Sequence, residues 1–207
     1  MSEIQNLVKE VTIATNQSLK NEVAIVPLDL WNESVYRYQW IKQLLKVAPK
    51  ARCQIEWNYN DLFFQLGDDN VIVEFKFYIT QFNVDIHGNK RDTPKGHPSN
   101  KNFEEFCVQI GKLDKMNEMV WFKGGEKSIT HKLLILVYTD NANYRKKQFK
   151  HWYDSIKLLD EVKKPGKKPL KYDLRNVKFD TFYEAVDNTL YCESSSNYIY
   201  CKLFEVK

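Results

Sequence analysis

Apolar residues recur along this chain with two different periods. Ile4, Leu7, Val8 and Val11 stand at i, i+3, i+4 and i+7, which predicts an amphipathic helix over residues 3–19. Pro27 breaks the pattern, and Asp29 or Asn32 is placed to cap a second helix with Glu33 in its first turn. That helix is predicted to run to about Val47 and to bury Trp31, Val35, Tyr38, Ile41 and Leu44/Leu45, with Pro49 ending it. A period of two then takes over. CQIEW (53–57), DLFFQL (61–66) and VIVEFKFYI (71–79) read as strands, and GDDN (67–70) as the turn of a hairpin between the last two. Residues 83–101 are polar and carry two Gly and two Pro, the composition of a long loop.

Phe103 to Met119 is predicted as a helix with Phe106, Ile110 and Leu113 along one face. Gly124 and Gly125 predict a turn, and LLILV (133–137) reads as a central strand buried on both faces. A further helix is expected over 143–162, ending before KKPGKK. A short helix near 180–187 and a strand pair, TLYCE and YIYCKLFEV, complete the chain. A helix between the third and fourth strands is a crossover, so the sheet is expected to be mixed.

The third strand carries two opposite charges, Glu74 and Lys76, in its middle. Alternate residues share a face, so Ile72, Glu74, Lys76 and Tyr78 point one way and Val71, Val73, Phe75 and Phe77 the other. An even-length turn within GDDN, pairing 66 with 71 and 61 with 76, adds Asp61 to the charged face. Two carboxylates a few ångströms apart repel each other, and a divalent cation relieves the repulsion. A lysine beside them can orient a water or stabilise charge on a phosphate. The same trio also reads as a solvent-facing ion-pair ladder. Glu-x-Lys by itself is weak, because it recurs at Glu161/Lys163 and Glu205/Lys207. Only the Glu74 copy follows a strand with a carboxylate and precedes a helix and a buried strand. Glu56 could be a further metal ligand, but its parity differs from that of Asp61 if the strand runs straight through, which favours a simple strand residue.

Composition narrows the picture. The 207 residues are 43% hydrophobic and 14% aromatic, enough for one sizeable core. No apolar run approaches the roughly 20 residues needed to span a bilayer. The start, MSEIQNLVKE, lacks the basic-then-apolar pattern of a signal peptide. The chain therefore reads as soluble and cytoplasmic, with no membrane partner. Cys53, Cys107, Cys192 and Cys201 form no CxxC pair and read as free thiols, although Cys192 and Cys201 could face each other across a hairpin. The four histidines form no ligand cluster. Residues 142–171 hold ten Lys/Arg against three Asp/Glu, a basic segment on a near-neutral body.

The succession NDLFFQL, GDDN, VIVEFKF resembles the PD-(D/E)XK nuclease superfamily. That family has an α-β-β-β-α-β core, an aspartate opening the second strand and (Asp/Glu)-x-Lys in the third. Asn60 replaces the proline that precedes the aspartate, a departure the superfamily often shows. Gln109, in FCVQIGKL, is similar to the glutamine of Holliday-junction-resolvase-like members, and Glu33 to an extra acidic ligand of some members. The resemblance covers about residues 30–140 of a single domain, leaving an N-terminal helical addition (1–28) and a small C-terminal α/β extension (163–207).

It implies a restriction-endonuclease-like mixed central sheet flanked by helices, and Mg²⁺- or Mn²⁺-dependent hydrolysis of phosphodiesters. Asp61 and Glu74 would hold metal, Glu33 would add a ligand, Lys76 would act on the water or the transition state, and Gln109 would support the site. The substrate is expected to be nucleic acid, DNA before RNA, in restriction, defence or recombination, and cleavage of both strands implies a homodimer. Lys90, Arg91 and Lys95 in the loop, and Arg145, Lys146, Lys147 and Lys150 beside Tyr144, are the expected phosphate contacts. The alternative is a catalytically inactive module of the same fold that binds nucleic acid or a protein partner.

Overall fold

The computed structural model describes residues 1–22, 31–57, 59–78, 100–116, 119–122, 125–141, 157–164, 166, 170–192 and 195–207. Helix α1 spans Glu3–Glu22 and α2 spans Glu33–Val47. Asn32 caps α2, its side chain accepting the Val35 N–H, as the sequence suggested. The buried stripe of α2 agrees with expectation at Trp31 and Leu44, with Val35 and Ile41 half-buried, and differs elsewhere: Tyr36 and Trp40 face the core, whereas Tyr38 and Leu45 are exposed. The i, i+4, i+8 row of Tyr36, Trp40 and Leu44 carries more aromatic area than the Tyr38 row, and it wins the core.

Strands β1 (Arg52–Trp57), β2 (Asn60–Leu66) and β3 (Asp69–Tyr78) form an antiparallel meander. Helix α3 (Asn100–Asp114) then crosses over to β6 (His131–Asn141), which runs parallel to β3. A small hairpin, β4 (Met119–Phe122) with β5 (Gly125–Ser128), lies between α3 and β6 in the chain. Met119 is therefore strand rather than the end of α3, and Gly125 pairs with Phe122 instead of sitting in the turn.

Two further expectations fail in the last third. Residues 161–163 form β7 (Glu161–Lys163), paired with β8 (Lys171–Asp173), not the end of a helix. Residues 157–160 are not helical either, and the remainder of that expected helix, 143–156, lies outside the described residues. The short helix expected near 180–187 is part of a strand, β9 (Phe179–Cys192), which pairs with β10 (Ser195–Val206). These two strands are not an appended α/β unit. They extend the central sheet, whose order is β1-β2-β3-β6-β10-β9, with β3 and β6 its one parallel pair among the described residues. The β9–β10 register sets Cys201 opposite Ala185 and Cys192 opposite Ser195, so those two cysteines do not face each other. Cys53, Cys107 and Cys201 are free thiols.

The molecule is thus mixed α/β, three layers around a mostly antiparallel six-stranded sheet. On one face α1 and α2 pack Val8, Val11, Trp40 and Leu44 against Leu62, Val73, Phe75 and Ile135. On the other, α3 and the β7–β8 ribbon pack Phe106, Ile110 and Tyr172 against Phe63, Ile72, Leu134 and Phe204. The alternation of β3 is as expected, Val71, Val73 and Phe75 on the first face and Ile72 on the second. Gly111 allows α3 to approach the ribbon closely, since a Cβ there would lie 2.7 Å from Tyr172 Cβ. Among the described residues, no helix is long and apolar enough to cross a membrane.

Candidate active site

The β2–β3 turn contains two residues, Gly67 and Asp68, between the paired Leu66 and Asp69. Gly67 supplies the left-handed conformation that such a turn requires, with φ +60°. The turn is even, as expected, but Leu66 pairs with Asp69 rather than with Val71, a register two residues away from the expected one. Parity survives and the pairing changes: Phe63 lies opposite Ile72, Leu62 opposite Val73, and the next step puts Asp61 across from Glu74 rather than Lys76. The ladder stops there because Asp61 Oδ2 accepts the Phe75 N–H at 2.8 Å, taking the donor that strand pairing would use. Asp61 and Glu74 are thereby brought together at the end of the β2–β3 ladder.

Each carboxylate has met a cation from a helix. Arg37, on α2, divides its guanidinium between Asp61 Oδ1 and Glu56 Oε1, both at 2.8 Å. Lys112, on α3, donates to Glu74 Oε1 and to the Tyr59 carbonyl. Neither Arg37 nor Lys112 was singled out from the sequence, yet spacing could have found both. Arg37 lies four residues after Glu33 and Lys112 three after Gln109, so each shares a helix face with a candidate. Glu56 lies in β1 as expected, but its φ is +55°, and Tyr59, in the connection to β2, has φ +63°; both are unusual for non-glycine residues.

Lys76 departs from its expected place. It is on the right strand face, but its Nζ turns to the Phe75 carbonyl at 2.5 Å and to Glu33 Oε1 and Oε2 at 3.4 and 3.3 Å. Glu33, at the first turn of α2, is held by this lysine instead of joining Asp61 and Glu74. Gln109 is half-buried on α3, and its Oε1 is buried without a hydrogen-bond partner. Asn60 is buried and donates to the Trp57 carbonyl at 3.3 Å, closing the β1–β2 connection. Lys90, Arg91 and Lys95, and likewise Tyr144, Arg145, Lys146, Lys147 and Lys150, lie outside the described residues.

Burial and the neighbouring Asp61 charge push the Glu74 carboxyl up to about 7, against the opposing pull of Lys112 and Lys76. Burial also raises the Glu33 carboxyl, opposed chiefly by Lys76. Glu74 is 2% exposed, so its charge has little water to stabilise it. A buried carboxyl raised by a second carboxylate is short of positive charge, and its donor chemistry suits a hard divalent cation. Among the described residues, no group of three or more His, Cys, Asp or Glu could hold a metal ion. Asp61 and Glu74 are two carboxylates, and a site of that size would leave most positions around a Mg²⁺ ion to water.

The other two Glu-x-Lys copies have structural settings. Glu161 and Lys163 flank Val162 on the outer face of the β7–β8 ribbon. Glu205 is buried, accepting from Gln5 Nε2 at 2.6 Å and lying 2.6 Å from His131 Nδ1. Comparisons with protein-family models, curated proteins and solved structures found no match to this chain.

Proposed function

We propose that the chain is a metal-dependent nuclease of the PD-(D/E)XK type, hydrolysing phosphodiester bonds in nucleic acid, with DNA favoured over RNA. The observation that carries the reading is the side-by-side setting of Asp61 and Glu74 at the end of the β2–β3 ladder, where burial and the Asp61 charge raise the Glu74 carboxyl to about 7. The order α2-β1-β2-β3-α3-β6, with β3 parallel to β6, supports a restriction-endonuclease-like core. Asp61 and Glu74 would hold one Mg²⁺ or Mn²⁺ ion. A divalent ion held there would supply Lewis-acid chemistry toward a water and a phosphoryl oxygen.

The protein's own groups do the rest. The Phe75 N–H fixes the orientation of Asp61, and Arg37 holds it from the α2 side. Glu33 holds the Lys76 ammonium at the N-terminal end of α2, where it can donate to an incoming water or to phosphoryl oxygen. The proximity of Lys76 to Glu33 makes Glu33 an orienting residue for that lysine and a less direct metal ligand.

One observation favours a second reading, a catalytically inactive module of the same fold. Asp61, Glu74 and Glu33 already have Arg37, Lys112 and Lys76 as partners. The two readings part on incubation of the purified protein with plasmid, single-stranded DNA and RNA, in Mg²⁺, Mn²⁺ or EDTA. The nuclease reading expects cleavage of at least one substrate in metal, none in EDTA, and loss of cleavage in Glu74→Gln. Absence of metal-dependent cleavage from every substrate sinks it and leaves the inactive module.

A further inference from the structure

Resting on the metal-site reading above, we propose that Lys112 is a tethered counter-cation that competes with a divalent ion for Glu74, so that this lysine sets the metal concentration at which the site fills. Three of the four carboxylate oxygens that would receive the ion are already engaged: Asp61 Oδ1 faces Arg37, Asp61 Oδ2 holds the Phe75 N–H, and Glu74 Oε1 faces Lys112. The backbone donor is fixed by β3. The two side-chain cations differ in how firmly they are held. Arg37 is planar and forked, bound to two carboxylates at once at 2.8 Å, so removing it breaks two charged contacts. Lys112 is a point charge on a flexible stem, and its second partner is a neutral carbonyl. Lys112 is therefore the group that yields.

Charge count points the same way. Glu33, Glu56, Asp61 and Glu74 face Arg37, Lys76 and Lys112, four negative groups against three positive. A divalent ion added to that set leaves an excess of positive charge beside a carboxyl that is 2% exposed. Withdrawal of Lys112 into solvent restores the balance, and its side chain, 16% exposed, already touches solvent. The competition is local. Lys115, one turn further along the chain, pairs with Asp114 and is two-thirds exposed, so its charge is screened by water.

The test is Mn²⁺ binding to the full chain without nucleic acid, read as free Mn²⁺ by electron paramagnetic resonance. Wild type is compared with Lys112→Gln, Lys112→Met, Lys115→Gln and Glu74→Gln. The expected result is Mn²⁺ affinity about tenfold higher in both Lys112 variants, the loss of one charge-assisted contact that metal no longer has to break. Lys115→Gln should match wild type and Glu74→Gln should bind far more weakly.

A second measurement needs no variant to fold. The ¹⁵N signal of the Lys112 ammonium in wild type, protected while it is paired with Glu74, should broaden into exchange with solvent on saturation with Mg²⁺. Unchanged affinity in the Lys112 variants, with the Glu74 dependence intact, overturns the inference alone, as does a Lys112 signal insensitive to Mg²⁺. Absence of Mn²⁺ binding in every protein overturns the inference together with the metal-site reading.

Discussion

Glu74 should make the protein less stable as pH rises, and Glu74→Gln should remove that loss. The Glu74 carboxyl is raised from an ordinary value of 4.5 to about 7, so the native state holds its proton more tightly than the unfolded chain does. Where the native state binds more protons, stability falls with increasing pH. The contribution is therefore complete below pH 4.5, is lost progressively as pH rises through 7, and then levels off. A shift of about 2.5 units is worth about 3 kcal/mol. Because Glu74 is 2% exposed, little of this is screened by solvent.

Glutamine keeps the shape and the carbonyl acceptor that Lys112 contacts, while removing the proton equilibrium. Urea unfolding followed by tryptophan fluorescence, with Trp40 and Trp57 both buried, gives the free energy of each protein from pH 4 to pH 8. The difference between Glu74→Gln and wild type should move by about 3 kcal/mol in favour of the variant across that range. Parallel profiles for the two proteins would show that the Glu74 carboxyl is not raised, and the argument that burial and the Asp61 charge outweigh Lys112 at this site would collapse. Other titrating groups, Glu33 included, are common to both proteins and cancel to first order in the difference.

Arg37→Gln breaks the contacts to Asp61 and Glu56 and should cost about 2 kcal/mol in low salt, shrinking in 1 M salt, as measured by urea midpoints. Gly111→Ala places a methyl 2.7 Å from Tyr172 Cβ and should lower stability by about 1–3 kcal/mol despite the better helix propensity of alanine, visible as a drop in Tm. Lys76→Met should leave Mn²⁺ affinity within about threefold of wild type while reducing single-turnover cleavage by at least about 100-fold, the range of a lost acid–base or charge-stabilising group. An equal fall in binding and cleavage would mean that Lys76 supports the fold of the site and not the chemical step.

The sequence carried the core of this fold well because both of its periods are strong there. Val71, Val73 and Phe75 against Ile72 sorted the two faces of β3, and LLILV at 133–137 marked the strand buried beneath both helical layers. It failed where a long strand contains polar residues. In β9, polar Asp180, Thr181 and Glu184 flank the adjacent, half-buried Phe182 and Tyr183 with no period of two, and pairing with β10 over eleven residue pairs overrides the local helical preference.

The site was legible as a face but not as a set of partners. Parity put Asp61 and Glu74 together under either even turn. The identity of the turn, two residues with Gly67 left-handed, decided that Asp61 meets Glu74 instead of Lys76. The helix residues that neutralise the carboxylates, Arg37 and Lys112, depend on how α2 and α3 dock across the sheet. Side-chain direction at Lys76 is likewise a tertiary matter, since the Glu33 that attracts it is 43 residues away in the chain.

Whether Asp61 and Glu74 jointly hold a divalent cation is tested most directly by manganese-soaked crystals and anomalous difference density collected at the manganese edge. The expected result is one peak within about 2.5 Å of an oxygen of each carboxylate, with Lys112 moved off Glu74. Full soaking with no peak there, and with Arg37 and Lys112 still paired to Asp61 and Glu74, would contradict the assignment of this pair as a metal site.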